Sequence, residues 1–123
     1  MTTYLSAEQI LDAQDLGIED VDVPEWGGTV RVRGMSGTER DRFEAGFLGN
    51  DMKRLPKDKA MEHYRARLAA ACLVDEKGGR LFRSAGEVKR LSEKSADALQ
   101  RVVDVAMRLS GMSEADQEEL TGN

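Results

Sequence analysis

Cysteine and histidine occur once each in the 123 residues, and that scarcity removes several chemistries at the outset. The lone Cys72 cannot close an internal disulfide. It lies in the apolar run Ala69-Ala70-Ala71-Cys72-Leu73, where a thiol packs as a small hydrophobe, whereas a reactive thiolate needs basic neighbours and access. His63 follows Glu62 one position off an apolar stripe and reads as a surface histidine. With one remote cysteine it supplies no set of three or four metal donors. A Cys–His nucleophile pair fails on distance: at about 1.5 Å of rise per residue along one helix, positions 63 and 72 stand more than roughly ten ångströms apart. Long apolar runs are missing too. None approaches the roughly 20 residues that cross a bilayer, and Met1-Thr2-Thr3-Tyr4 lacks the features of a secretory signal, so no membrane is expected and the cytoplasm is the expected compartment. Basic charge is the minority, with 18 Lys and Arg against 23 Asp and Glu and a net charge of -5. This balance opposes attraction to a phosphate backbone, so nucleic acid is not an expected partner. The glycine pairs Gly27-Gly28 and Gly78-Gly79 lack the P-loop lysine spacing and the dinucleotide fingerprint and read as turns, so no cofactor is expected.

What is present, 40% hydrophobic and 33% charged residues, suits one soluble globular unit with a modest core. From Asp20 the pattern alternates: Asp20, Val21, Asp22, Val23, then Pro24-Glu25-Trp26-Gly27-Gly28, then Thr29, Val30, Arg31, Val32, Arg33. A β-hairpin over about 20–33 follows, with the four valines on one face and Asp20, Asp22, Arg31 and Arg33 on the other as cross-strand charge pairs, each contributing about 0.2 to 1 kcal/mol. Around it the pattern is helical. Ser6-Ala7-Glu8-Gln9 is a capping box opening a helix over about 6–15 with Ile10 and Leu11 on its apolar stripe, near whose end Gly17 stands. Ser36 to Glu39 opens another over 36–48, bearing Phe43, Phe47 and Leu48 and ended by Gly49-Asn50. The longest pattern, 58–73, repeats Met61, Tyr64, Leu68 and Cys72 at spacings of three or four. Gly78-Gly79 marks a second short hairpin, from Val74 to Phe82. Helices over 84–91, 95–110 and 113–120 complete the chain, the middle one striped by Leu99, Val102, Val103, Ala106 and Leu109, with Thr121-Gly122-Asn123 expected to fray. The expected fold is α+β, a mostly helical single domain with an N-terminal β-hairpin.

No catalytic or metal residue is nominated. The carboxylates Glu114, Asp116, Glu118 and Glu119 read as a solvated face, and most of the six methionines as core filler. Trp26, at the hairpin bend, either folds onto the core or meets a partner, with the core favoured because a bare tryptophan invites aggregation. The candidate partner-binding residues are Trp26, Arg31 and Arg33 on the hairpin, whose exposed edge accepts strands, and Glu114, Glu118 and Glu119 in the acidic C-terminal segment.

The run Val21 to Arg33 with its Pro-Glu-Trp-Gly-Gly element, followed by Met35-Ser36-Gly37-Thr38-Glu39-Arg40-Asp41, resembles the N-terminal signature of phage tail assembly chaperones. Cys72-Leu73-Val74-Asp75-Glu76, Gly79-Arg80-Leu81-Phe82 and the closing Arg108-Leu109-Ser110-Gly111-Met112-Ser113 follow in the family's order. The resemblance implies a non-enzymatic protein of the host bacterial cytoplasm, absent from the mature virion, that binds the tape measure protein, keeps it soluble and helps the tail tube protein polymerise around it. It also implies a frameshifted longer form as a possible partner, with this chain as the short form, and leaves room for a homo-oligomer. Two other classes compete: a structural tail-completion or head–tail connector protein, and a small DNA-binding regulator using the basic cluster Lys53, Arg54, Lys57 and Lys59.

Overall fold

The alternating segment folds as its valines require. In the computed structural model, which describes residues 2–49 and 51–121, β1 (Ile18–Val23) and β2 (Gly28–Arg33) pair antiparallel, with Val21 opposite Val30 and Asp20 opposite Arg31. Their bend is a single 3-10 turn, Pro24–Trp26, closed by Gly27 at φ 79, a left-handed conformation that glycine adopts without steric cost. A third strand, β3 (Leu73–Val74), adds to the free side of β2, giving the order β1-β2-β3. Val21, Val23 and Val32 are buried.

The polar face holds one of the expected charge pairs: the Arg31 guanidinium donates to both Asp20 oxygens, at 2.8 and 3.2 Å. The register places Thr29 opposite Asp22 and Ile18 opposite Arg33, so Asp22 instead accepts from the Thr29 hydroxyl and Arg33 reaches Glu39 at 2.8 Å.

Among the described residues there are seven α-helices: α1 (Ala7–Asp12), α2 (Gly37–Ala45), α3 (Lys57–Met61), α4 (Tyr64–Cys72), α5 (Ala85–Ser92), α6 (Ala96–Leu109) and α7 (Glu114–Thr121). The capping boxes at Ser6, Ser36 and Ser84 all form, and Ser95 caps α6. A further reciprocal cap joins Ser113 and Asp116 at the start of α7. α4 and α6 pack together, and α6 also lies against β1 and β2. Leu99, Val102, Val103 and Ala106 thereby meet the hairpin valines in one core with Leu68, Leu73 and Cys72. Phe43, Phe47 and Tyr64 extend it as edge-on and tilted rings with centroids 5.2 to 6.0 Å apart.

Several expectations need correction. The helix expected over 58–73 is two, because Glu62 is extended and His63 sits at φ 58, in the left-handed region that histidine tolerates better than most residues. This break turns Met61 outward and brings Ala60 into the core, while Tyr64, Leu68 and Cys72 keep the buried stripe of α4. The helix expected over 36–48 ends at Ala45, and Phe47 and Leu48 lie in the following turns. The second hairpin shrinks to one bridge between Val74 and Arg80, its turn held by Asp75, whose side chain accepts from the Lys77 and Gly79 amides while Gly78 takes φ 88. Thr121, expected to fray, is buried and donates its hydroxyl to the Gln117 carbonyl at 2.9 Å. Asn50, Gly122 and Asn123 lie outside the described residues.

The first helix also departs from expectation. It ends at Asp12 and buries none of its residues, so the Ile10–Leu11 stripe faces solvent. Gly17, expected at the end of this helix or in the turn just after it, lies beyond its Ala13 cap. It sits where the chain joins the body, its carbonyl accepting from the Gly34 amide at 2.9 Å beside Leu109.

Candidate partner-binding surface

The hairpin residues nominated from sequence are more committed than their exposure in a strand suggests. Trp26 is half-buried against the core, with its indole nitrogen enclosed and without a hydrogen-bond partner. Its neighbour Glu25 is gripped by the Arg101 guanidinium of α6 at 2.9 and 3.0 Å, a bond that holds the Glu25 carboxyl below its usual range and pins the bend to the body. Arg31 is engaged by Asp20, whose own carboxyl is lowered by that hydrogen bond, and Arg33 by Glu39. Both arginines lie on β2, which is the middle strand. The outer strands are β1 and β3, and on β1 Glu19 is paired with Arg108 at 2.7 Å, Asp20 with Arg31, and Asp22 accepts from the Thr29 hydroxyl.

The acidic C-terminal segment is docked rather than free. Met112 and Thr121 are buried at its two ends and Leu120 packs on the core. Asp116 approaches Arg40 of α2 at 3.6 Å, and its carboxyl is held below its usual range chiefly by the Ser113 amide. Glu114, Glu118 and Glu119 remain exposed, with Glu119 4.0 Å from Arg54. Among the described residues, no hydrogen bond or ion pair joins these glutamates to the hairpin trio. The α2–α7 boundary is a cleft of about 480 Å³ lined by Arg40, Glu44, Phe47, Leu48, Arg54 and Leu120.

Sequence reasoning missed the segment preceding β1. Tyr4 is 89% exposed and Leu11 81%, and Leu5, Ile10, Leu16 and Ile18 are exposed as well. Five of these side chains precede β1, with Ile10 and Leu11 in α1, and Ile18 is the first residue of β1. The readable signal was charge: no lysine or arginine occurs before Arg31, while Glu8, Asp12, Asp15, Glu19, Asp20, Asp22 and Glu25 do. An apolar, acid-only stretch around a helix of six residues is too short to build its own core and too apolar to be a solvated tail. The methionines divide: Met35 and Met112 are buried, Met107 packs on the core, and Met52 and Met61 are exposed.

Reactive groups are sparse. Burial pushes the Cys72 thiol up to about 11, with Ser110 Oγ 3.8 Å away, so the thiolate that would act as nucleophile is disfavoured. His63 precedes α4 as its N-cap residue, with its Nε2 3.5 Å from a Glu62 carboxylate oxygen. Among the described residues, no three His, Cys, Asp or Glu side chains are grouped to hold a metal ion, and no helix is long and apolar enough to cross a membrane.

A sequence model of the phage tail assembly chaperones matches residues 7–122, which is nearly the whole chain. The chain belongs to the phage tail assembly chaperone family. Its fold agrees: it is similar to the solved structure of the bacteriophage HK97 tail assembly chaperone, with a TM-score of 0.56 at 23% sequence identity, over 86% of this chain and 94% of that one. No curated protein sequence matches. The match with the family model begins at Ala7, the first residue of α1.

Proposed function

We propose that this chaperone acts without catalysis in the host cytoplasm, by binding the apolar stripes of the phage tape measure protein until the tail tube encloses them. The observation that carries this reading is family membership over residues 7–122, joined to an apolar arm that the molecule leaves uncovered. A long helical tape measure exposes apolar faces before assembly, and an amphipathic, acidic partner shields such faces while keeping the complex soluble. The tail tube protein is the second expected partner, and a longer frameshifted form of this chain a third. On this reading the protein leaves before the particle matures.

Co-expression tests it. The tape measure protein, insoluble when made alone, is expected in the soluble fraction and co-purifying with this chain, while mass spectrometry of finished particles finds the chain absent. A tape measure equally soluble alone, with no complex recovered, would sink the reading.

A further inference from the structure

A pocket of about 210 Å³ lies where the start of α4 meets the turn between α5 and α6. The first turn of α4 lines it through Tyr64, Arg65 and Ala66, and Ser92 and Lys94 line it from the end of α5 and the turn that follows. This helix begins without a capping side chain: its N-cap residue is His63, and among the described residues the Tyr64, Arg65 and Ala66 amides have no acceptor. Free amides at a helix start carry partial positive charge and suit an anion.

The side chains of the wall agree in sign. Among the described residues, no aspartate or glutamate lines the pocket, while Arg65 and Lys94 do. Arg65 is held in place by its Nε, which donates to Gln100 Oε1 at 2.7 Å, and Lys94 has no ion-pair partner among the described residues. Neighbouring acids are engaged: Glu62 lies 3.5 Å from His63 Nε2 and 4.0 Å from Lys59 Nζ, and Asp116 accepts from the Ser113 amide at 2.9 Å. The wall also holds an orphaned donor. Tyr64 is 3% exposed, and its hydroxyl is enclosed without a hydrogen-bond partner. Burial pushes that phenol up to about 12, so it stays protonated and able to donate. An enclosed donor without an acceptor is destabilising, and an anion beside it removes that cost.

We propose that this pocket receives the acidic side chain of a partner protein, an aspartate or glutamate whose carboxylate is held by the first-turn amides of α4, with Arg65 and Lys94 balancing its charge and the Tyr64 hydroxyl as a further donor. Met61 and Leu99 in the same wall offer apolar cover to the methylene stem of such a side chain, which favours an amino-acid carboxylate over a bare oxyanion. The site goes beyond the tape measure reading and is tested on the purified chain alone, so its failure leaves that reading untouched.

An NMR titration reads the pocket directly. The probe is a short peptide of alternating glutamate and leucine, blocked at both ends so that its only carboxylates are side chains. It is expected to shift the Arg65, Ala66 and Lys94 amide signals saturably, with an affinity that falls as salt rises. The glutamine counterpart of the peptide should leave those signals in place. Arg65→Gln with Lys94→Gln is expected to weaken binding on the order of tenfold or more. Tyr64→Phe should weaken it several-fold while the free chain keeps its melting temperature, because the hydroxyl removed has no partner to lose. Arg42→Gln, which removes a cation from a different cleft, should change nothing. Circular dichroism checks that every variant is folded. Signals unmoved by the glutamate peptide, moved equally by the glutamine one, or moved by inorganic phosphate alone would overturn the proposal. So would binding that is indifferent to the Arg65 and Lys94 substitutions or to Tyr64→Phe, or that is lost with Arg42→Gln.

Discussion

Of the described glycines, Gly34 has the least room for a side chain, where the chain leaves β2 beside the end of α6. A methyl group there would press into the Leu109 carbonyl oxygen, a backbone atom that cannot rotate away, whereas at Gly37, the first residue of α2, it would meet nothing within 4 Å. The two glycines should therefore respond oppositely to one substitution. Gly34→Ala is expected to cost about 1 to 3 kcal/mol by forcing backbone shifts. Gly37→Ala is expected to stabilise by about 0.4 to 1 kcal/mol by restricting the unfolded chain. Urea unfolding of the pair reads both, and equal effects at the two positions would refute the packing at Gly34. Trp26 illustrates a different point at this scale. Its place in the sequence allowed core or partner, and the structure leaves it half-buried, with Glu25 beside it tied to Arg101 seventy-six positions away, a tether no local pattern announces.

Helix starts in this chain depend on carboxylates as well as hydroxyls. Burial works against ionisation of Glu39, but the Ser36 amide and Arg33 together outweigh it, so its carboxyl titrates below the usual value of 4.5. Backbone amides of Arg83 and Ser84 lower Glu87 in the same way, and the Ser113 amide lowers Asp116 below 3.8. Folded-state values below unfolded ones mean that the caps of α2, α5 and α7 contribute in full above the unfolded values and fade as pH falls through the folded ones. Melting temperature is thus expected to hold from neutral pH to about 5 and to decline below about 4.5. Glu39→Gln, which keeps the capping geometry but carries no charge, should be less stable at neutral pH and lose less on acidification. An unchanged acid limb in that variant would remove Glu39 from the account. These caps, like the valine alternation and the stripe of α6, were readable because they are written in residues three or four apart. The helix break at Glu62–His63 and the pairing of β3 with β2 were not, since each answers to the body the segment packs on. That pairing also sets where two of the nominated residues lie: strand order, which is non-local, puts Arg31 and Arg33 in the middle of the sheet rather than on its edge.

Seen whole, the chain divides into a packed body from β1 onward and an arm that adds apolar surface without burying it. Folding of the body owes nothing to α1, which has no buried residue, so deletion of residues 2–15 should change the unfolding free energy of the dilute monomer by less than about 0.5 kcal/mol, as expected for surface changes. Urea unfolding of the full and the deleted chain at the same high dilution makes the comparison, since a helix without buried residues adds little to the surface that unfolding exposes. A large loss of stability on deletion would mean that the arm belongs to the core after all.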